Sequence, residues 1–553
     1  MKTQLEKIFG KLPASTKKYV VYFEDNIRIK KSWAALSGDI DHLIRILETI
    51  RKTRAISLLK IGIIGPISYS WMAIDLACLK GGFRATGLPE HFAPSALNDL
   101  VVSEELDIVL ADQVLSEKTS EITAASVYYF NCRTPDSKDI QAINVNDREV
   151  VQPNILAEFG AGFTSGTTRG HKRITMVSVD TNDPKPGFIE RALTAIVFPF
   201  TFWSRSDNKV IIFMPFSHIQ QRTLVKMALL NNINIIISNE INVIRHIITE
   251  RPNIMVSVPV IYEMIAGRIR EKTSQFSPVK KKIYALYKAL RINRSSNWNP
   301  IKLLMDQYLF HKIRKLYGGR ADYFIVGSAK VNPQTVRTFY DVGVRILEAY
   351  GQSETGIISM SSHWNFKIGS VGKPGPYVRI APDGEILLKF NELYYHDYNK
   401  DILTVDEDNY IHTGDVGYLD KKGYLFLKGR KDEVIVLESG LKVFAADIEL
   451  RLKACKGVQH AVVFSDTGRS LKAIISAEPG CGISELVRSV GLENKKMSKH
   501  ERITELAVDY TPWSPESGHI TNTLKIKRNK IIEDRQRYSF NPIPDRTIAA
   551  FDN

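Results

Sequence analysis

Ten consecutive residues, Phe163 to Lys172 (FTSGTTRGHK), gather small hydroxylated side chains, glycines and a closing cation. Thr164, Ser165, Gly166, Thr167 and Thr168 offer hydroxyls and backbone N–H groups without bulk. A loop so built can wrap the β- and γ-phosphates of a nucleotide as an anion-binding nest does, and Lys172 adds positive charge. The spacing is not that of a Walker loop, because no Gly-Lys-Ser/Thr follows at the required offset. Standing alone, such a run is commonly only a turn, so its company decides.

That company comes from three distant turns. Tyr350-Gly351-Gln352-Ser353-Glu354 follows an apolar strand expected at 345–349 and supplies an aromatic face, a tight turn and a carboxylate. An adenine ring can stack on Tyr350, and Glu354, with Thr167 as a second oxygen donor, can hold a Mg²⁺ that bridges phosphates. Asp415, in HTGD, sits where its carboxylate can accept both ribose hydroxyls. Arg430 follows fifteen residues later, consistent with a second ribose or phosphate contact, and leads into KDEVIVLESG around Asp432. Each of these reads by itself as a plain turn. In this order and at this separation they describe a candidate site for a nucleoside triphosphate.

The elements that must position these turns are legible upstream. Lys60 to Gly65, Asp107 to Asp112, Val210 to Phe216, Ile233 to Ser238, Asn253 to Pro259 and Asp322 to Ser328 read as short strands rich in Ile and Val. They alternate with helix-like segments, such as the amphipathic stretch that spaces Trp71, Ile74, Ala77 and Cys78 helically. Continuous apolar strands alternating with helices imply parallel sheets covered on both faces, an α/β fold. After Gly384 the turn signals PDGE, DEDN and DKKGY separate short alternating segments, as in small antiparallel sheets. A boundary is expected at Gly429, dividing a large N-terminal domain of layered sheets and helices (1–428) from a small α+β C-terminal domain (429–553).

At 553 residues the chain is too long for one core, and its 44% hydrophobic and 24% charged content is that of a globular enzyme. The net charge of +15 favours anionic partners: nucleotides, acidic carrier proteins, anionic membrane surfaces or nucleic acid. The Lys- and Arg-dense segment Glu271 to Asn299 reads as a solvated helical excursion; no nucleic-acid motif and no aromatics to complement its charge are evident, so no nucleic-acid partner is expected. Cys78, Cys132, Cys455 and Cys481 are scattered without CxxC spacing, which argues against disulfides or zinc and fits a reducing cytoplasm. The N-terminus shows no apolar signal core. The stretches Leu58 to Gly65 and Ala192 to Trp203 are too short or interrupted for a span of about 20 residues.

The motifs together resemble the adenylate-forming superfamily of acyl-CoA synthetases, luciferases and peptide-synthetase adenylation domains, over roughly Lys60 to Arg535. Within it the chain looks most like the long-chain fatty acyl-CoA synthetases, on MPFSHIQQR (Met214 to Arg222), VSVPVIYEMIAGRI (Val256 to Ile269), FHKIRKLYGGRADYFIVGSAKVNP (Phe310 to Pro333) and the C-terminal WSPESGHITNTLKIKRNKI. The resemblance implies two steps. A carboxylate attacks the α-phosphorus of ATP, giving acyl-AMP and pyrophosphate; a thiol, commonly that of coenzyme A, then displaces AMP. By similarity Lys525 contacts the α-phosphate and carboxylate oxygens, and Gly327, Ser328 and Ala329 border adenine or the carboxylate. Ser217 and His218 match a helix start beside the acyl pocket, with a structural histidine as the competing reading. Asp432 matches the hinge about which the small domain swings, exchanging Lys525 for a thiol-step face that carries Gly440 and Lys442.

The chain departs from the superfamily pattern in its phosphate loop, where Arg169, His171 and Arg173 replace glycine, proline and glycine, raising charge and changing backbone freedom. Ser353 stands for a threonine and Ala445 for a proline. The resulting expectation is an ATP- and Mg²⁺-dependent ligase joining a medium or long fatty acid to coenzyme A, with the departures hinting at a specialised member. Two rivals stand beside it: loading of an acidic acyl carrier protein, and a non-catalytic relative that binds nucleotide or acyl chains.

Overall fold

The computed structural model describes residues 4–131, 158–163, 173–177, 207–292, 300–352, 355–389, 404–514, 517–521 and 525–544. These form two compact units, the first ending at Trp364 and the second beginning at Asn365.

The first unit holds two sheets. One has eight strands in the order 356–360, 346–352, 323–326, 254–257, 209–212, 234–237, 19–24 and 27–32. Its interior pairs are parallel and its two outermost pairs antiparallel. The other has six strands in the order 126–130, 108–112, 60–64, 84–87, 158–163 and 173–177, parallel except for the last pair. All six expected strands lie inside these sheets, shortened at their ends. Asn253 to Pro259, for example, resolves into the strand Ile254–Ser257 followed by a helix with Pro259 at its first position, where a missing N–H costs nothing.

The helix Tyr69–Gly81 corrects one expectation. It starts where the Ser68 hydroxyl accepts from the Trp71 N–H and ends on left-handed Gly82. The helix is there, but instead of the expected amphipathic pattern it is buried almost all round. Burial on every side explains Ala77, Cys78 and Leu79 on its successive faces. It also explains why its two charged residues are paired, Asp75 with Arg222 and Lys80 with Asp41. The helix Ile219–Leu230 packs on strands Lys209–Ile212 and Asn234–Ile237 of the eight-stranded sheet and also reaches Glu158–Phe163 of the six-stranded one, so apolar helices fill the space between the sheets.

The second unit opens with a four-stranded antiparallel sheet in the order 378–380, 385–389, 410–419 and 425–430. The turn signals do the work expected of them: Asp383, Asp406 and Asp420 accept backbone N–H groups within their own turns. A two-stranded ribbon, 434–436 with 442–444, precedes a further mixed sheet in the order 458–464, 471–477, 503–509 and 540–542. Leu452, Val463, Ala473, Ile475, Leu486 and Leu506 form the centre of its core.

Candidate active site

In the first unit the chemistry-bearing turns sit at the carboxyl ends of parallel strands, where open α/β sheets receive ligands. Strand Tyr323–Val326 pairs with Ile346–Gln352 in the register Val326 to Glu348. Gly327, Ser328 and Ala329 therefore emerge beside Ala349 and Tyr350; a Cβ on Gly327 would lie 3.5 Å from the Ala349 carbonyl. Ser328 holds a left-handed φ of 68°, a state that costs a non-glycine residue about 1–3 kcal/mol and concentrates at functional sites. Tyr350 is largely buried. Directly after it the pairing with Gly356–Met360 shifts register at Gly351. A Cβ there would meet the Gly356 carbonyl oxygen at 2.1 Å and Ile357 Cα at 2.8 Å, so the backbones approach as only glycine permits. Gln352 ends the strand; Ser353 and Glu354 lie outside the described residues.

The expected phosphate loop, with Thr164, Ser165, Gly166, Thr167, Thr168 and Lys172, also lies outside them, between two strands that are described. Strand Glu158–Phe163 leads into it and Arg173–Val177 leaves it, the two pairing antiparallel with Phe163 opposite Arg173. The entering strand is seated on the His218 turn. A Cβ on Gly162 would meet the Ser217 carbonyl oxygen at 3.0 Å, and one on Gly87 would meet Ser217 Cα at 3.0 Å. His218 itself is the N-cap residue of Ile219–Leu230.

One residue that sequence reasoning did not single out ties this corner together. Arg222, fully buried, forms an ion pair with Asp75 and donates from Nη1 to the Ala161 carbonyl at 2.9 Å and from Nη2 to the Ala85 carbonyl at 3.4 Å. Its guanidinium lies 5.6 Å from the Trp71 ring centre. The available signal was a single carboxylate inside the apolar run YSWMAIDLACLKG, which demands a buried partner.

In the second unit Asp415 and Arg430 face each other across adjacent strands. Arg430 donates from Nη1 to Asp415 Oδ1 at 3.2 Å and to the Thr413 carbonyl at 2.9 Å, and from Nε to Asp432 Oδ1 at 3.3 Å. Burial works to lower the Arg430 pKa, but the carboxylates of Asp415 and Asp432 outweigh it and the net shift is upward. Gly414, at φ 69°, lets the guanidinium lie against its backbone; a Cβ there would meet Nη2 at 2.9 Å.

Beneath this turn lies a second residue the sequence reading passed over. Glu385, buried, accepts from the Gly414 N–H at 3.0 Å and from Lys431 Nζ at 2.8 Å, and lies 3.1 Å from His412 Nδ1. Burial pushes its pKa up, yet Lys431, His412 and the Gly414 N–H overcome that and hold it below the usual glutamate value. In PDGE it passes for an ordinary turn residue.

The Lys525 backbone pairs with Thr521: its N–H donates to Thr521 Oγ1 at 3.0 Å, and the Thr521 N–H donates to its carbonyl at 2.7 Å. Ile520 bridges Ile526. The segment is anchored by Trp513, whose indole N–H donates to Asp509 at 2.8 Å and whose ring stacks between His460 and His519. Burial pushes the His460 pKa down to about 4, so this support is neutral across the physiological range. Asp432 is exposed just after strand Leu425–Arg430. Gly440, at φ 78°, turns the ribbon between Val434–Val436 and Lys442–Phe444, with open space around it and Lys442 exposed. No cluster of three or more metal-ligating side chains occurs among the described residues, and no helix among them is long and apolar enough to cross a membrane.

The AMP-binding enzyme profile matches residues 17–383, well over half of the chain. The chain belongs to the AMP-binding enzyme family. Among curated relatives of this AMP-binding enzyme, the long-chain-fatty-acid–CoA ligase FadD15 of Mycobacterium bovis is 26% identical over 368 residues, which is 60% of this chain and 61% of that ligase. The chain thus matches less than two thirds of that relative. Long chain acyl-CoA synthetase 1 of Arabidopsis thaliana is 22% identical over 573 residues, covering 91% of this chain and 86% of the synthetase. The A domain of a carboxylic acid reductase from Segniliparus rugosus, solved with AMP and a co-purified carboxylic acid, superposes with a TM-score of 0.72 at 16% identity, covering 97% of this chain and 93% of that one. At that identity the likeness carries the fold alone, and it is the layered α/β fold expected from the sequence.

Proposed function

We propose that this AMP-binding enzyme is an ATP-dependent acid–thiol ligase that activates a medium- or long-chain fatty acid and passes it to coenzyme A. The observation that carries the reading is the strained, crowded strand-end pair, Gly327-Ser328-Ala329 beside Tyr350-Gly351, at the ligand-receiving edge of a parallel sheet. Relatives named as fatty-acid–CoA ligases support the substrate class.

In the first step a carboxylate oxygen attacks the α-phosphorus of ATP and the bond to pyrophosphate breaks. The chain's contribution is positioning and positive charge. Tyr350 presents a ring for adenine, Asp415 a carboxylate for the ribose hydroxyls, and Lys525 a cation for the transferring phosphate and the incoming carboxylate. His218 stands at the helix start beside the acyl chain. Mg²⁺, when bound, neutralises the polyphosphate; Glu354 and Thr167 are the residues proposed to hold it. In the second step the thiol sulfur attacks the acyl carbon, AMP leaves, and the thiol proton is released. Residues 429–553 then turn about Asp432 so that the face with Gly440 and Lys442 serves the thiol. The Arg430–Asp432 contact, at 3.3 Å between half-exposed groups, is weak enough to break in such a turn.

The net charge of +15 favours one second reading, in which the acceptor is the pantetheine thiol of an acidic carrier protein. Pyrophosphate release measured with a panel of fatty acids tests the ligase. Release with none of them would leave a non-catalytic binder. Adding coenzyme A or a carrier protein to preformed adenylate then separates the two acceptors.

A further inference from the structure

Helices Pro278–Ile292 and Pro300–Arg314 pack side by side as an excursion from the first unit. Their shared face is aromatic: Phe310 lies 5.8 Å from Tyr284 and 5.0 Å from Tyr287, centre to centre, and the Tyr287 hydroxyl donates to Asp306 at 3.0 Å. The sequence reading found no aromatics to complement the lysines here. The structure supplies them, but turned inward, with Tyr287 and Phe310 buried.

What faces outward is aliphatic and cationic, with one aromatic, Tyr308, among the exposed apolar side chains. Val279 is 64% exposed, Leu286 53%, Leu304 71% and Tyr308 56%. Val279 and Leu286 are seven residues apart and Leu304 and Tyr308 four apart, so each pair shares one face of its helix. Lys280 lies 5.1 Å over the Tyr308 ring, linking the two helices, and Lys288 lies 4.7 Å over Tyr284. Lys281 and Lys282 point into solvent. The sequence PVKKKIYALYKALRI contains no acidic residue. The partner helix's single acid, Asp306, is engaged by Arg314 and Tyr287.

We propose that this two-helix excursion docks on an anionic lipid bilayer. Val279, Leu286 and Leu304 enter the headgroup boundary, and Lys281 and Lys282 meet the headgroup charges. Exposed aliphatic side chains beside unopposed lysines are what an interfacial helix requires. A single-stranded nucleic acid would instead want free outward aromatic faces for its bases; the rings of Tyr287 and Phe310 are spent on the core, and the exposed Tyr308 ring carries Lys280 at 5.1 Å. None of these side chains is among the residues assigned to catalysis.

Co-sedimentation of the full-length protein with vesicles tests it, and reads no catalysis, so its outcome does not depend on the ligase reading. Binding is expected to vesicles of phosphatidylcholine containing phosphatidylglycerol, to weaken with added salt, and to be lost on phosphatidylcholine alone. Each lysine near an anionic surface weighs about fivefold in affinity, so Lys281→Ala with Lys282→Ala should weaken binding about 25-fold. Val279→Ser with Leu304→Ser should weaken it as well. Ile241→Ser, at a 92% exposed residue elsewhere, should not. All these side chains are exposed, and an unchanged thermal midpoint verifies that the variants fold. No binding to anionic vesicles, or binding that ignores both double variants, overturns the proposal. So does binding to a single-stranded RNA oligomer that falls with the lysine variant while vesicles are ignored.

Discussion

Replacing Arg222 with methionine asks whether the helix behind His218 is held by charge as well as by apolar packing. The substitution strips the buried Asp75 of its cation and the carbonyls of Ala161 and Ala85 of donors at 2.9 Å and 3.4 Å. Breaking a buried pair from one side costs about 3–5 kcal/mol, because the remaining charge has lost its partner. The stronger carbonyl bond adds about 1 kcal/mol. In the double variant Asp75→Ala/Arg222→Met the orphaned charge disappears and methionine fills much of the space, leaving a cost of about 1–2 kcal/mol. Hydrogen exchange of the amides in Ile219–Leu230 measures this locally, without requiring the whole chain to unfold in one step. Where reclosing outpaces exchange from the open state, the ion-pair part alone, about 3–5 kcal/mol, appears as about 150- to 5,000-fold faster exchange in the single variant, mostly recovered in the double. A single variant within tenfold of the parent, or a double variant worse than the single, would refute the reasoning.

Other consequences can be checked more briefly. Gly351→Ala forces a Cβ to within 2.1 Å of a backbone oxygen, so it should lower the thermal midpoint and the soluble yield. Gly327→Ala, whose Cβ meets nothing nearer than 3.5 Å, should leave the midpoint unchanged and raise KM for ATP by narrowing the strand-end edge. Equal midpoints for the two would show that the register shift is not rigid. Glu385→Gln removes a carboxylate held below the usual glutamate pKa. Its stabilisation is complete above the ordinary glutamate value and disappears as pH falls through the folded value, so the variant should lose about 1–3 kcal/mol at neutral pH and show a shallower decline in acid. Parallel acid profiles for parent and variant would remove Glu385 from that role. Lys525→Ala should abolish adenylate formation while sparing thioester formation from supplied acyl-AMP. Equal losses in both half-reactions would count against a lysine that serves only the first.

The fold was legible where the signal is local. A run such as INIIIS has no polar face to offer water and must be covered on both sides, which places it inside a parallel sheet; Asn234–Ile237 is there. PDGE and DKKGY carry their turn geometry in their own side chains. Less was legible where partners are remote. Arg222 and Asp75 are 147 positions apart, and nothing near either names the other. The Tyr69–Gly81 helix shows the same limit: apolar spacing reveals one face, but whether a second layer covers the other depends on a sheet assembled from distant strands. Tyr350, Asp415, Arg430 and Lys525 could be singled out as candidates because their motifs are short. Glu385, which holds the Asp415 turn from beneath, was missed because its role exists only once the sheet has formed.

Capture of the innermost phosphorus of ATP by an organic acid is tested most directly by isotope transfer. A fatty acid labelled with ¹⁸O in its carboxylate is incubated with the enzyme, ATP, Mg²⁺ and coenzyme A, and the nucleotide product is weighed by mass spectrometry. Attack at the α-phosphorus leaves one labelled oxygen in AMP. Label in inorganic phosphate with ADP as product, or AMP without label, would contradict the mechanism.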